Sequence, residues 1–227
     1  MKFITVFFDF FLPRFCASCN TILTPDEKII CSHCLSNIKR ADDERIASEF
    51  GRKFENDKII SGFRSLFIFE KEKELQNVIH ELKYNGMFGI GKYFGRLIGN
   101  SLYKWINECV IDFIIPVPLH HLKRADRGYN QSFYIAKGIS TIMNIPVRNS
   151  VIKRKRYTNT QTELSLTERK ENVLNAFILR SKKNLKDKNV LLVDDVITTG
   201  ATITECARIL LCAGAKKVFA VSVAIAD

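Results

Sequence analysis

The stretch VLLVDDVITTGAT, Val190 to Thr202, constrains the fold of this chain more than any other. Val190, Leu191, Leu192 and Val193 are apolar at both alternating positions, which suits a strand covered on both faces, as in a parallel sheet. Asp194 and Asp195 then stand at its carboxyl end. Two adjacent like charges repel and are costly to desolvate, so a polar ligand, a cation or plain exposure must account for them. Thr198, Thr199, Gly200, Ala201 and Thr202 follow, placing hydroxyl donors around a residue free to adopt positive φ. Ile203, Cys206, Ala207, Leu210 and Ala213 then recur at helical spacing until Gly214, so the bend is a helix N-terminus. Its free N–H groups and dipole favour an anion by roughly 0.3–2 kcal/mol. A phosphate suits the bend and hydroxyl donors suit the carboxylates, and a ribose 5-phosphate carries both.

With 227 residues, 46% of them hydrophobic, the chain has room for one α/β domain plus a small appendage and is not a disordered protein. Its net charge of +11 favours phosphorylated ligands or nucleic acid, or else reflects a lysine-rich solvated surface. The opening MKFITVFFDFFLPRF does not read as an export signal, because Asp9 interrupts it, Pro13 ends it and no small-residue cleavage site follows. No stretch approaches the ~20 apolar residues of a membrane span, and a cytoplasmic protein is expected. Phe3, Phe7, Phe10 and Phe11 share one helical face, which predicts a short helix on the protein's own surface, with membrane-surface docking as the alternative.

Cys16, Cys19, Cys31 and Cys34 form two CxxC pairs with eleven residues between them. Each pair can aim two sulfurs at one point, which predicts a closed tetrahedral site for one structural Zn²⁺. Two disulfides are the rival, disfavoured where no export signal exists. Cys109, Cys206 and Cys212 sit in apolar helical contexts and are expected to be buried.

The mixed-charge stretch 39–58 reads as a linker with at most one polar helix, giving an N-terminal module over 1–60 and a larger domain over 61–227. Leu75, Val78, Ile79 and Leu82 predict a helix ending near Asn85 and Gly86; Phe94, Leu97, Ile98, Leu102, Trp105 and Ile106 predict another. IDFIIPVP, 111–118, reads as a buried strand closed by two prolines, and 130–143 as a helix with Phe133, Ala136, Ile139 and Met143 inward. With a last strand over 218–224, the alternation predicts a doubly wound α/β fold on a parallel sheet. The polar segment 153–172, set between two strands, reads as a lid, a binding segment or a solvated excursion, with Arg154, Arg156, Gln161, Arg169 and Asn172 placed to fold over an anion. The aspartate pair also occurs in magnesium-dependent nucleotide hydrolases, but those need a GxxxxGK[ST] loop, which the chain lacks. His120 and His121 would point apart and carry no accompanying carboxylates, so no metal is assigned to them.

Val190 to Thr202 resembles the phosphoribosyl pyrophosphate (PRPP) signature of type I phosphoribosyltransferases. The wider pattern resembles the ComF family of competence proteins: the cysteine quartet, LKYNG at 82–86, PVP at 116–118, RGYNQ at 127–131, Gln161, Arg169 with Asn172, and DDVITTGAT. The resemblance implies a type I phosphoribosyltransferase-like parallel sheet flanked by helices, carrying a small N-terminal zinc ribbon. It implies that Asp194 and Asp195 take the ribose 2- and 3-hydroxyls and orient Mg²⁺, while Val196 and Thr198, Thr199, Gly200, Ala201 and Thr202 enclose the 5-phosphate. Pro116, Val117 and Pro118 would present backbone to the pyrophosphate, Arg124 or Arg127 would counter its charge, and Gln161 and Arg169 would belong to a mobile hood. Three functions follow as expectations: transfer of phosphoribosyl from PRPP, handling of single-stranded DNA during uptake in natural transformation, or an adaptor docking on a competence translocase or helicase.

Overall fold

The computed structural model describes residues 12–55, 58–155, 175–181 and 185–226. Phe3, Phe7, Phe10 and Phe11, and Arg156, Gln161, Arg169 and Asn172, lie outside the described residues. The strands in chain order are β1 (Gly62–Ile68), β2 (Phe113–Pro116), β3 (Ile152–Arg154), β4 (Phe177–Leu179), β5 (Asn189–Ile197) and β6 (Lys217–Ile225). The helices are α1 (Ser32–Asn37), α2 (Asp43–Phe50), α3 (Glu74–Tyr84), α4 (Phe88–Ser101), α5 (Tyr103–Glu108), α6 (His121–Arg127), α7 (Gln131–Met143) and α8 (Ala201–Cys212).

One parallel sheet runs in the order β1-β6-β5-β2. Alternation along β5 divides the core: Leu191 and Val193 join Ile114 and the apolar sides of α3, α4 and α7, whereas Val190 and Leu192 join Ile115 and α8. All four are fully buried, which is why this strand carries apolar residues at successive positions. Each such side chain contributes about 1.5–3 kcal/mol relative to exposure. β3 and β4 stay out of this sheet and form an antiparallel ribbon, pairing Arg154 with Phe177.

Helices α4 and α7 cross in very close contact because glycines meet there. A Cβ on Gly95 would lie 2.0 Å from the Ile135 carbonyl oxygen, and one on Gly138 would lie 2.4 Å from that of Lys92. On α7 the inward residues are Ile135, Ala136 and Ile139, while Phe133 and Met143, expected inward, are only half-buried.

The structure departs from the expected linker over 39–58. Asp42 caps α2 by accepting the Arg45 N–H at 2.8 Å, and the helix runs into a π-helical turn at Gly51–Glu55. Ile46, Phe50 and Phe54 recur every fourth residue and pack into the core on the α8 side. Ahead of the helix, Ala41 N–H donates to the Leu66 carbonyl at 3.0 Å and Ile68 N–H to that of Lys39 at 2.9 Å, so the chain runs antiparallel beside β1. The stretch is folded onto the sheet, and β1 itself is a strand the apolar pattern did not announce. Cys109 and Cys206 are buried as expected, but Cys212 is exposed.

Candidate functional site

After β5 the chain turns to α8 on one face of the sheet; after the adjacent β2 it turns to α6 and α7, and α7 packs on the other face. Neighbouring strands whose connections leave in opposite directions open a crevice at their carboxyl ends, the general ligand position of open α/β sheets. Here the crevice is a cavity of about 140 Å³, with Asp194 and Asp195 on one wall and Lys83, Lys123, Arg127 and Arg154 on the others.

The two carboxylates, still within β5, have different partners. Asp194 Oδ1 accepts from Ser132 Oγ at 2.9 Å and from the Asp195 N–H at 2.9 Å. Asp195 Oδ1 accepts the Val196 N–H at 2.8 Å, and its Oδ2 lies 3.0 Å from the Lys83 ammonium. Burial, and then the neighbouring Asp195 charge, push the Asp194 carboxyl up to about 8. Burial pushes Asp195 upward too, but Lys83 and the Val196 N–H outweigh it and hold that carboxyl below its ordinary value. The pair therefore carries close to one negative charge near neutrality, and a ligand that brings hydroxyl donors or a cation would displace the Asp194 proton to solvent.

RGYNQ shapes the opposite wall. Arg127 lies over the Tyr84 ring at 5.1 Å, Gly128 ends α6 with φ +74°, and the Tyr129 hydroxyl donates to the Leu82 carbonyl. Asn130 caps α7 by accepting the Ser132 N–H at 3.2 Å, and its amide donates to the Val117 carbonyl at 2.9 Å. One residue thus ties the turn after β2 to the helix that presents Ser132. Gln131, 6% exposed, brings a buried Oε1 that lacks a hydrogen-bond partner to the same cavity.

The bend after β5 forms a second recess of about 40 Å³, lined by Asp194, Val196, Thr198, Thr199, Gly200 and Thr202 among others. Gly200 sits at φ +78° as the N-cap of α8, and Ala201 N–H donates to Thr199 Oγ1 at 3.4 Å. Because Asp194 and Thr202 border both cavities, the acid pair and the bend form one continuous site.

Of the residues expected from sequence, Val117, Pro118, Arg127, Asp194, Asp195 and Thr202 line the crevice. Ala201 opens α8 beside the recess, and Pro116 is buried at the end of β2 and lines neither cavity. Arg124, three residues before Arg127, instead lines a neighbouring cavity of about 250 Å³ together with Tyr129, Phe133, Tyr134, Lys153 and Arg180. Lys83 and Ser132 contact the carboxylates, yet neither was singled out; only the LKYNG pattern gave a signal for the lysine.

The four N-terminal sulfurs lie within 4.8 Å of one another, with Cys19 and Cys31 Sγ 3.8 Å apart. A tetrahedral ion with metal–sulfur bonds of about 2.3 Å requires sulfurs about 3.8 Å apart, so the set fits a structural metal. Backbone N–H groups of Ser18 and Cys31 donate to Cys16 Sγ, and that of Cys34 donates to Cys31 Sγ. The Thr21 hydroxyl and N–H lower Cys19 to about 6, whereas burial raises Cys34 to about 12. A metal replaces protons that such a cluster cannot all release unaided.

A parallel sheet with an acid pair and a glycine-centred bend at one crevice defines a phosphoribosyltransferase-like protein. The description "Phosphoribosyl transferase domain" matches residues 130–226. Competence protein F of Haemophilus influenzae is 36% identical over 152 residues, covering 63% of this chain and 65% of that protein. The match thus spans just under two thirds of that relative's length. Competence protein ComFC of Streptococcus pneumoniae is 26% identical over 205 residues, covering 87% of this chain and 88% of that protein. Glutamine PRPP amidotransferase from B. subtilis, solved with ADP and GMP, is 20% identical with a TM-score of 0.42, covering 63% of this chain and 30% of that one. The chain is thus similar to Competence protein F and ComFC and carries a phosphoribosyl transferase domain match over residues 130–226. No helix among the described residues is long and apolar enough to cross a membrane.

Proposed function

We propose that this protein binds PRPP, or a closely related ribose phosphate, together with Mg²⁺ in the crevice at the end of β5, and that it serves DNA uptake during natural transformation. The observation that carries the first part is the acid pair itself, one carboxyl ion-paired with Lys83 and the other held up to about 8 by burial and its neighbour. Ribose hydroxyls donate to such carboxylates, and phosphates suit the positive potential of the facing Lys123 and Arg127. In this reading Asp194 and Asp195 accept from the 2- and 3-hydroxyls. The bend from Thr198 to Thr202 holds the 5-phosphate, and the turn from Pro116 to Leu119 receives the pyrophosphate.

Bound Mg²⁺ supplies charge neutralisation for the pyrophosphate. Where transfer occurs, the bond from ribose C1 to the pyrophosphate oxygen breaks as the acceptor's bond to C1 forms, through an oxocarbenium-like state. The protein's own contribution is orientation by the acid pair and electrostatic stabilisation by Lys123 and Arg127. Cys16, Cys19, Cys31 and Cys34 hold one Zn²⁺, and the proposed setting is the cytoplasm, where such thiols stay reduced. The competence role is supported by the names of Competence protein F and ComFC.

Single-stranded DNA handling is a second reading, favoured by the cavity where Arg124, Lys153 and Arg180 meet Tyr129, Phe133 and Tyr134. Calorimetric titration with PRPP and Mg²⁺, comparing the natural chain with Asp194→Ala plus Asp195→Ala, tests the first reading, followed by pyrophosphate release across candidate bases. The double variant should lose binding while keeping one zinc per chain by metal analysis, and unchanged binding would overturn the carboxylate roles. Oligonucleotide affinity that falls steeply with salt would support the second reading.

A further inference from the structure

The segment between the cysteine module and β1 reaches the bend after β5 through a single buried lysine. The Lys53 side chain is 4% exposed, and its ammonium has an acceptor for each of its three N–H bonds: the Thr198 carbonyl, the Ala226 carbonyl at 2.9 Å and Glu49 Oε2 at 3.1 Å. Glu49, 3% exposed, also pairs with Arg45 at 2.8 Å and Arg52 at 2.7 Å. Three cations around one carboxylate leave this cluster net positive, directly behind a bend suited to an anion. The next residue, Phe54, closes the contact: a Cβ on Gly200 would lie 2.7 Å from its Cε1. The Phe54 ring is itself fixed against Phe63 at 5.5 Å and Phe50 at 6.1 Å.

A trans peptide is planar, so the carbonyl of one residue and the N–H of the next point in opposite directions. Fixing the Thr198 carbonyl on Lys53 therefore fixes the Thr199 N–H on the other side. We infer that Lys53 is a positioning residue for the phosphate-binding bend: it sets the peptide plane after Thr198 so that the Thr199 N–H faces the recess, and it adds positive potential behind the bound anion. This rests on the reading that the bend holds a 5-phosphate. It also gives the stretch 43–55 a task that its charged sequence conceals, since that stretch forms the back wall of the ligand site.

The test uses the full zinc-loaded chain and its Lys53→Met variant. Affinities for ribose 5-phosphate and for inorganic pyrophosphate with Mg²⁺ are measured by calorimetry, and hydrogen exchange is followed at the amides of residues 198–202. Pyrophosphate engages the opposite wall, so it controls for general loosening. Lys53→Met should weaken ribose 5-phosphate about tenfold or more, the effect of losing a hydrogen bond to a charged group. Pyrophosphate affinity should be unchanged, and exchange at Thr199 and Gly200 should accelerate. Unaltered ribose 5-phosphate affinity, or equal weakening of both ligands with unaltered exchange at the bend, would overturn the inference. If the natural chain binds neither ligand, the reading of the site fails, and the exchange rates alone decide whether Lys53 fixes the bend. Should Lys53→Met not fold, the same measurements on Lys53→Gln, which keeps a donor, serve with the same two outcomes.

Discussion

Asp194→Asn should stabilise the ligand-free protein while removing its capacity to bind ligand, and the gain should depend on pH in a defined way. The folded carboxyl titrates at about 8 against an ordinary value of 3.8. A group whose proton is held more tightly in the folded state makes stability fall as pH rises between those two values. At about 1.4 kcal/mol per pKa unit, the gap sets a ceiling of about 6 kcal/mol above pH 8. Asp194 retains some solvent contact, and screening brings the expected gain to about 2–3 kcal/mol. Asparagine keeps an acceptor for the Ser132 hydroxyl and the Asp195 N–H, so little else changes. For a chain of this size the gain corresponds to a rise in Tm of roughly 4–12 °C at pH 9, shrinking toward zero near pH 4. Thermal unfolding followed by circular dichroism from pH 5 to 9, in magnesium-free buffer, measures it. A difference in Tm that is constant across this range, or that has the opposite sign, would refute the assignment of a proton to Asp194.

Asp195→Asn leaves the Lys83 ammonium, 24% exposed, without its carboxylate, and should cost about 1–3 kcal/mol in urea unfolding at neutral pH. Because the folded Asp195 titrates below its unfolded value, that cost should fade as pH drops below about 4 and the wild-type carboxylate protonates. Gly138→Ala forces a methyl group to 2.7 Å from Gly95 Cα and should destabilise by about 1–3 kcal/mol or more, read from the urea midpoint. Chelation of the metal should release most of the folding free energy of the cysteine module, on the order of 10 kcal/mol. Limited proteolysis should then cut first between Cys16 and Asn37.

The strand, acid pair and bend were legible because each is forced by local chemistry: a doubly buried strand needs a continuous apolar run, and a bend at positive φ calls for glycine. The cysteine quartet was legible from spacing alone. β1 was not, because Arg64 and Ser65 interrupt its apolar run; Ser65 is buried with its Oγ accepting from Ser222 Oγ at 3.1 Å and donating to the Phe67 carbonyl at 3.3 Å. Lys53 was hidden for a similar reason, since a lysine in a charged run reads as solvated until its three acceptors are known, although Ile46, Phe50 and Phe54 already spelled a helical stripe. Arg124 and Arg127 differ by less than one helical turn, and only the placement of α6 shows which of them faces the acid pair.

Both margins of the parallel sheet are occupied by the chain itself. The backbone around Lys39 and Ala41 runs alongside β1, and on the far side Ile114 N–H donates to the Pro146 carbonyl while Arg148 N–H donates to that of Ile114. Strands that end a sheet with open backbone groups invite further strands from other molecules. Here backbone groups on each margin are already engaged, so among the described residues a further strand could extend this parallel sheet only by displacing the chain's own backbone beside β1 or β2.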